Sequence, residues 1–209
     1  MSKLNISKFD PSTIKANSVI ILIGKRDSGK TTLMRDILYH LRDRLEFGIA
    51  FSPTDKAQDA FSSIMPNGLV YFEFNQHTLD KFLEIQEAYV TKDRYRQTFF
   101  VMDDCMCDSK TIMNTKTMRT LYMNGRHAKI MVLCAVQYSM DIPSFLRGQI
   151  DYIFLTGTNN NEDKRKIYKY FVGMFNKYTK FEAAFNKCTS SYDCMVIDNK
   201  QRSNEPNDC

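Results

Sequence analysis

The sequence is poor in the features that mark fibrous, secreted or membrane-spanning chains. Its 209 residues include 8 Gly, 5 Pro and no Trp, too little glycine and proline for a collagen-like or low-complexity protein. No apolar run is long: Val19–Ile23 and Ile130–Val136 fall far short of the roughly 20 residues that cross a bilayer. Met1–Ile6 lacks the apolar core of a secretory signal, so the expectation is a soluble, cytoplasmic domain with no membrane span. The 6 cysteines form no Cys-x-x-Cys pair, and no His stands at zinc-finger spacing from them. Reduced, structural thiols are expected.

What is present is an ordinary globular composition. With 43% hydrophobic and 25% charged residues, the chain can bury a core in one domain and is not disordered. A net charge of +5 is too small to name a nucleic-acid partner. Its distribution says more, because residues 1–109 carry 14 Lys/Arg against 15 Asp/Glu, whereas residues 110–209 carry 15 against 9. Lys164, Arg165, Lys166 and Lys169 lie at helical spacing, a candidate face for phosphate contacts.

Short continuous apolar runs alternate with amphipathic stretches. Ser18–Ile23, Phe47–Ser52, Leu69–Phe74, Thr98–Met102, Lys129–Ala135, Tyr152–Leu155 and Cys194–Ile197 read as strands, several of them buried on both faces. Between them, Lys30–Leu45, Leu79–Tyr89, Thr111–Tyr122 and Asp163–Phe175 read as helices. The third of these strands leads into a helix whose inner side is expected to hold Phe82, Ile85 and Tyr89. This alternation predicts an open α/β sheet covered by helices. Residues 1–15 are expected to be a flexible lead, 16–198 the folded domain and 199–209 a polar tail.

The first strand runs into Gly24-Lys25-Arg26-Asp27-Ser28-Gly29-Lys30-Thr31, which matches G-x4-G-K-[ST]. Gly24 and Gly29 allow the backbone to wrap and turn its N–H groups around phosphate oxygens, and the following helix adds its positive end. Lys30 is expected on the β and γ phosphates, Thr31 on Mg²⁺, and the loop as far as Thr32 on the nucleotide. Such a loop needs a carboxylate at the end of an adjacent apolar strand. Asp103 supplies it as the expected Mg²⁺-water ligand, and Asp104 follows where a hydrolase polarises its attacking water. Gln137 closes the next strand; if that strand inserts between those of the loop and Asp103, Gln137 faces the γ-phosphate. Arg126 and Arg147, both in loops after helical stretches, are candidates to neutralise the transferring phosphate from a neighbouring subunit. His127 reads as a loop histidine.

GKRDSGKTT, TFFVMDDC, the block from Asn124 to Gly157 and the final YDCMVIDN together resemble the poxvirus-type virion DNA-packaging ATPases of large DNA viruses, in the FtsK–HerA group of P-loop motors. The likeness runs from about residue 18 to 198 and includes FSPT at Phe51–Thr54. It implies a three-layer P-loop NTPase, RecA/ASCE-like, with a mostly parallel sheet flanked by helices. It implies ATP and Mg²⁺ as cofactors, with Lys30 and Thr31 on the nucleotide, Asp103 and Asp104 as the carboxylate pair and Gln137 as polar sensor. It further implies a pentameric or hexameric ring that threads double-stranded DNA, without reading sequence, toward a capsid or portal-like vertex. Two other readings stand beside it. A small P-loop kinase would suit the length, although no Arg-rich lid is visible. A guanine switch would need Asn-Lys-x-Asp, which Asp198-Asn199-Lys200 does not match.

Overall fold

The computed structural model describes residues 6–66, 68–92, 96–105, 109–201 and 206. Strand β1 (Val19–Ile23) has every side chain buried. Ile20 and Leu22 pack on one side of it, and Val19, Ile21 and Ile23 on the other. Two cores therefore meet at this strand, which is why its sequence is continuously apolar instead of alternating. Helix α1 (Lys30–Leu41) follows, burying Met34, Ile37, Leu38 and Leu41. A 3₁₀ turn at Arg42–Arg44 ends it before Leu45.

The remaining elements are β2 (Phe47–Phe51), α2 (Asp55–Ser62), β3 (Val70–Tyr71), α3 (Gln76–Thr91), β4 (Thr98–Met102), α4 (Ser109–Met113), α5 (Lys116–Asn124), β5 (Ile130–Val136), α6 (Ser144–Arg147), β6 (Tyr152–Thr156), α7 (Asn161–Phe171), α8 (Tyr178–Cys188) and β7 (Cys194–Asp198). They form one seven-stranded sheet in the order β3-β2-β4-β5-β1-β6-β7. All pairings are parallel except β6 with β7, which is antiparallel. Helices α1 and α2 cover one face; α3, α5, α7 and α8 cover the other. The expected three-layer α/β architecture is the observed one, and β5 does insert between β1 and β4. Among the described residues, no helix is long and apolar enough to cross a membrane.

Several local expectations change. On α3 the buried stripe is Leu79, Phe82, Leu83 and Gln86, whereas Ile85 and Tyr89 are largely exposed. The polar Gln86 hides the true stripe in the sequence; it is tolerated inside because its Nε2 donates to the Arg96 carbonyl at 2.5 Å. The stretch read as one helix over 111–122 is two, since Thr115 caps α5 by accepting from Met118 N. Strand β3 keeps only two of its six expected residues, and α2 and α8 are additional helices.

Residues 6–15 are not a loose lead. Phe9 packs edge-on against Tyr152 and Phe154, Asp10 caps the turn Pro11–Thr13, and Ile14 is fully buried. Residues 1–5, and positions 202–205 and 207–209 of the expected tail, lie outside the described residues. Within that tail, Asn199 Nδ2 donates to the Ile150 carbonyl.

Candidate active site

The parallel strands β1, β4 and β5 end side by side, and the candidate site residues sit at those ends. Leaving β1, the chain passes Gly24, whose backbone lies so close to β6 that an added Cβ would stand 1.7 Å from Thr156 Oγ1. The loop then takes left-handed backbone at Asp27 (φ 58°) and Gly29 (φ 87°), the second a conformation glycine adopts without a steric penalty. Thr156 Oγ1 donates to Ser28 Oγ at 2.8 Å and ties the loop to the end of β6. Gly29 begins α1 with no side-chain cap. The first N–H groups of that helix are therefore open to an anion, with the helix dipole behind them.

Lys30 is buried, 6% exposed, and its Nζ donates to the Gly24 and Lys25 carbonyls at 2.8 and 2.9 Å. Burial lowers its pKa, opposed by the negative charge of Asp104, Asp103 and Asp27. The ammonium is thus held inside the loop by its own backbone, where phosphate oxygens would be stronger partners. Thr31 Oγ1 donates to Asp103 Oδ2 at 2.6 Å, linking the loop to the end of β4. Asp103 is 1% exposed, and its second oxygen, Oδ1, is buried with no hydrogen-bond partner among the described residues. An orphaned carboxylate oxygen beside a threonine hydroxyl is a donor set that fits a hard cation such as Mg²⁺ or its water shell.

Asp104 adopts a left-handed conformation, φ 52°, which aspartate tolerates better than most residues. Its Oδ1 accepts from Gln137 Nε2 at 2.5 Å. The inserted strand β5 delivers Gln137 to the carboxylates, while the backbone turn at Asp104 points successive carboxyl groups to different partners. Ser52, within the FSPT segment, carries no sequence signal of its own for chemistry. It follows β2 at the level of Asp103, whose N–H donates to the Phe51 carbonyl at 2.9 Å. Its hydroxyl is buried without a hydrogen-bond partner among the described residues.

Burial raises the Asp103 pKa most; Asp104 adds to the rise, while Thr31 and Lys30 oppose it. A carboxyl group whose folded pKa exceeds its unfolded value favours folding fully only below the unfolded value. That contribution is lost as pH rises through the folded one. Ionising Asp103 is therefore a burden on the nucleotide-free protein. Asp103→Asn should melt at a higher temperature than the parent at pH 7, and the gain should shrink as pH falls. Thermal melts across pH 4–8 without nucleotide or metal check this; a lower Tm for the variant at pH 7 contradicts it.

Neither candidate arginine reaches this chain's own loop. Arg126 precedes β5, at the end of the parallel strands opposite the loop, and its Nη2 pairs with Asp151 Oδ1 at 2.8 Å. Asp151 also accepts from Val19 N at 2.8 Å, so Arg126 braces the start of β1. Arg147 is held by stacking over Tyr170, 4.7 Å to the ring centroid, in the last turn of α7, and its Nε donates to the Ile142 carbonyl. The expected basic face of α7 is also reduced. Lys164 is buried and bonded to Asn186, and Lys166 pairs with Glu162 at 2.7 Å, leaving Arg165 and Lys169 exposed. Asp198-Asn199-Lys200 ends the antiparallel β7 at the edge away from the loop, so it cannot read a base bound there.

A glycine-hinged loop between a buried strand and a helix, facing a carboxylate pair and a polar residue on an inserted strand, defines a P-loop NTPase of the three-layer kind. The poxvirus A32 protein family matches residues 6–205, and the chain belongs to it. It is 29% identical over 216 residues to the uncharacterized protein L437 of Acanthamoeba polyphaga mimivirus, covering 99% of this chain and 76% of that protein. It is likewise 29% identical to the uncharacterized protein 075L of Invertebrate iridescent virus 6, over 90% of this chain and 72% of that one. The fold resembles the genome packaging NTPase B204 from Sulfolobus turreted icosahedral virus 2 in complex with AMPPCP. That match has a TM-score of 0.66 at 17% identity, over 91% of this chain and 96% of the other.

Proposed function

We propose that the chain works as one subunit of a pentameric or hexameric ring that hydrolyses Mg²⁺·ATP and draws double-stranded DNA toward a capsid or portal-like vertex, at the site of virus assembly in the host cytoplasm. The observation that carries the hydrolytic part is the bond from Thr31 to Asp103, with the free Asp103 oxygen and the Asp104–Gln137 pair beside it. Lys25, Arg26, Asp27, Ser28 and Thr32 shape the loop, and Lys30 holds the β and γ phosphates. Thr31 and Asp103 would hold Mg²⁺, which supplies charge neutralisation on the transferring phosphate when bound. Asp104 accepts the proton of the attacking water, and Gln137 fixes that carboxylate. Water as acceptor also fits better than a nucleoside, since the carboxylate pair sits directly at the loop.

A ring of such P-loop domains can surround a duplex. DNA backbone contact without base readout follows from Lys/Arg meeting phosphates. Duplex DNA of unrelated sequences should stimulate ATP release of phosphate equally, and the stimulation should fall steeply between about 50 and 200 mM salt. Phosphate release unaffected by any duplex at any salt would sink the motor. Transfer of phosphate to a nucleoside would revive the kinase reading.

Of the two arginines, Arg147 is the better candidate for a neighbour's site, because Arg126 already neutralises a buried carboxylate. Arg126→Ala should lower stability by about 1–2 kcal/mol, less than a fully buried pair because the guanidinium is half exposed. Arg147→Ala should fold normally yet lose turnover, with activity recovered when it is mixed with Lys30→Ala subunits that lend their own Arg147. Melting curves and mixing assays separate the two roles; the reverse pattern reverses the assignment.

A further inference from the structure

The groove that holds the phosphate loop does not end there. Besides Gly29–Leu33 it is lined by Asp36 on α1 and by Tyr192, Asp193 and Cys194 before and at the start of β7. The loop carrying Tyr192 is anchored close to the phosphate site. Thr156, bonded to Ser28, is followed by Gly157, where an added Cβ would lie 3.1 Å from the Thr189 carbonyl oxygen. Thr189 in turn bonds the last turn of α8 through N and Oγ1, both to the Phe185 carbonyl. Asp193 N closes the turn onto the Ser190 carbonyl at 3.0 Å.

Within that turn the backbone is left-handed twice in succession, at Ser191 (φ 55°) and Tyr192 (φ 65°). Neither is glycine, and a bulky residue there is sterically disfavoured. The result is a tyrosine 88% exposed, with no ring partner among the described residues. An aromatic side chain held in unfavourable backbone and left uncovered at the rim of a binding groove lacks a structural reason of its own.

The orientation of the nucleotide gives it one. Asp103, Asp104 and Gln137 stand on the β4–β5 flank of the loop, so the γ-phosphate end lies on that flank. The nucleoside end must then leave across the other flank, over β6 and β7, where Tyr192 stands. We propose that Tyr192 stacks on the nucleobase of the bound nucleotide and positions it, a role that rests on reading Gly24–Thr32 as the ATP site. Stacking uses the π-face common to all bases, so Tyr192 adds affinity and orientation without touching the reacting phosphate.

The absence of tryptophan from the chain makes the test direct. Tyr192→Trp in the full-length protein places a single tryptophan at this position. Its emission should change on titration with Mg²⁺·AMPPNP but not with inorganic tripolyphosphate, which offers phosphates and no base; calorimetry confirms that each binds. Tyr192→Ala should raise the KM for ATP about tenfold, the scale of one base–aromatic stack, with kcat within about twofold and an unchanged melting curve; Tyr192→Phe should restore the parent KM. If calorimetry shows nucleotide binding while the tryptophan stays silent and Tyr192→Ala keeps the parent KM, the assignment of Tyr192 fails and the ATP site stands. If the parent protein itself binds no nucleotide, the site reading fails and takes this one with it.

Discussion

Lys30→Ala should reduce ATP turnover by about 10²–10³-fold or more, the loss expected when a preorganised cation facing developing phosphate charge is removed. The structure says why no neighbour would replace it. Lys30 is the buried ammonium of the loop, pinned between the Gly24 and Lys25 carbonyls and facing three carboxylates whose charge it feels. Removing it leaves Asp27, Asp103 and Asp104 uncompensated around a site that must accept a polyanion. Nucleotide affinity should therefore fall together with turnover. The fold should survive, because the P-loop backbone is also held by Thr156 and Ser28. Steady-state phosphate release and calorimetric titration with a non-hydrolysable analogue measure both. Turnover within a fewfold of the parent would remove Lys30 from the chemistry.

The parts of this site that were legible in the sequence are those fixed by local backbone rules. Gly24 and Gly29 announce a tightly wrapped loop: Gly24 lies against Thr156 of β6, and Gly29 turns left-handed. Asp103 and Gln137 announce themselves by ending continuously apolar strands, and the sheet order brings those ends to the loop. The parts that were not legible depend on partners far away in the chain. Whether Arg126 is free or engaged depends on Asp151; whether Lys164 faces solvent depends on Asn186 of α8, a helix absent from the periodicity reading. Ser52 and Tyr192 carry no spacing signal at all. One is distinguished by a buried hydroxyl with no partner among the described residues, the other by backbone dihedrals, and both are properties of the packed chain.

Asp104→Asn is the sharper test of mechanism, because it changes basicity and little else. Asparagine keeps the oxygen that accepts from Gln137 Nε2 and adopts left-handed backbone as readily as aspartate, so the φ of 52° can be preserved. What disappears is the negative charge and the capacity to take a proton. Turnover should drop by about 10²–10⁴-fold, the usual contribution of a positioned general base. Nucleotide binding should persist, because Lys30, Thr31 and Asp103 remain in place. Asp103→Asn should show the opposite balance: it strips the carboxylate from the position suited to Mg²⁺ and should raise the Mg²⁺ concentration needed for half-maximal rate. Two adjacent carboxylates sharing one structural duty would yield two similar phenotypes, whereas a divided metal and water role requires them to differ. Rates and Mg²⁺ titrations of the two variants decide between these. An Asp104→Asn protein that turns over ATP normally would move the base assignment elsewhere on the β4–β5 flank, with Gln137 losing its reason to hold that carboxylate.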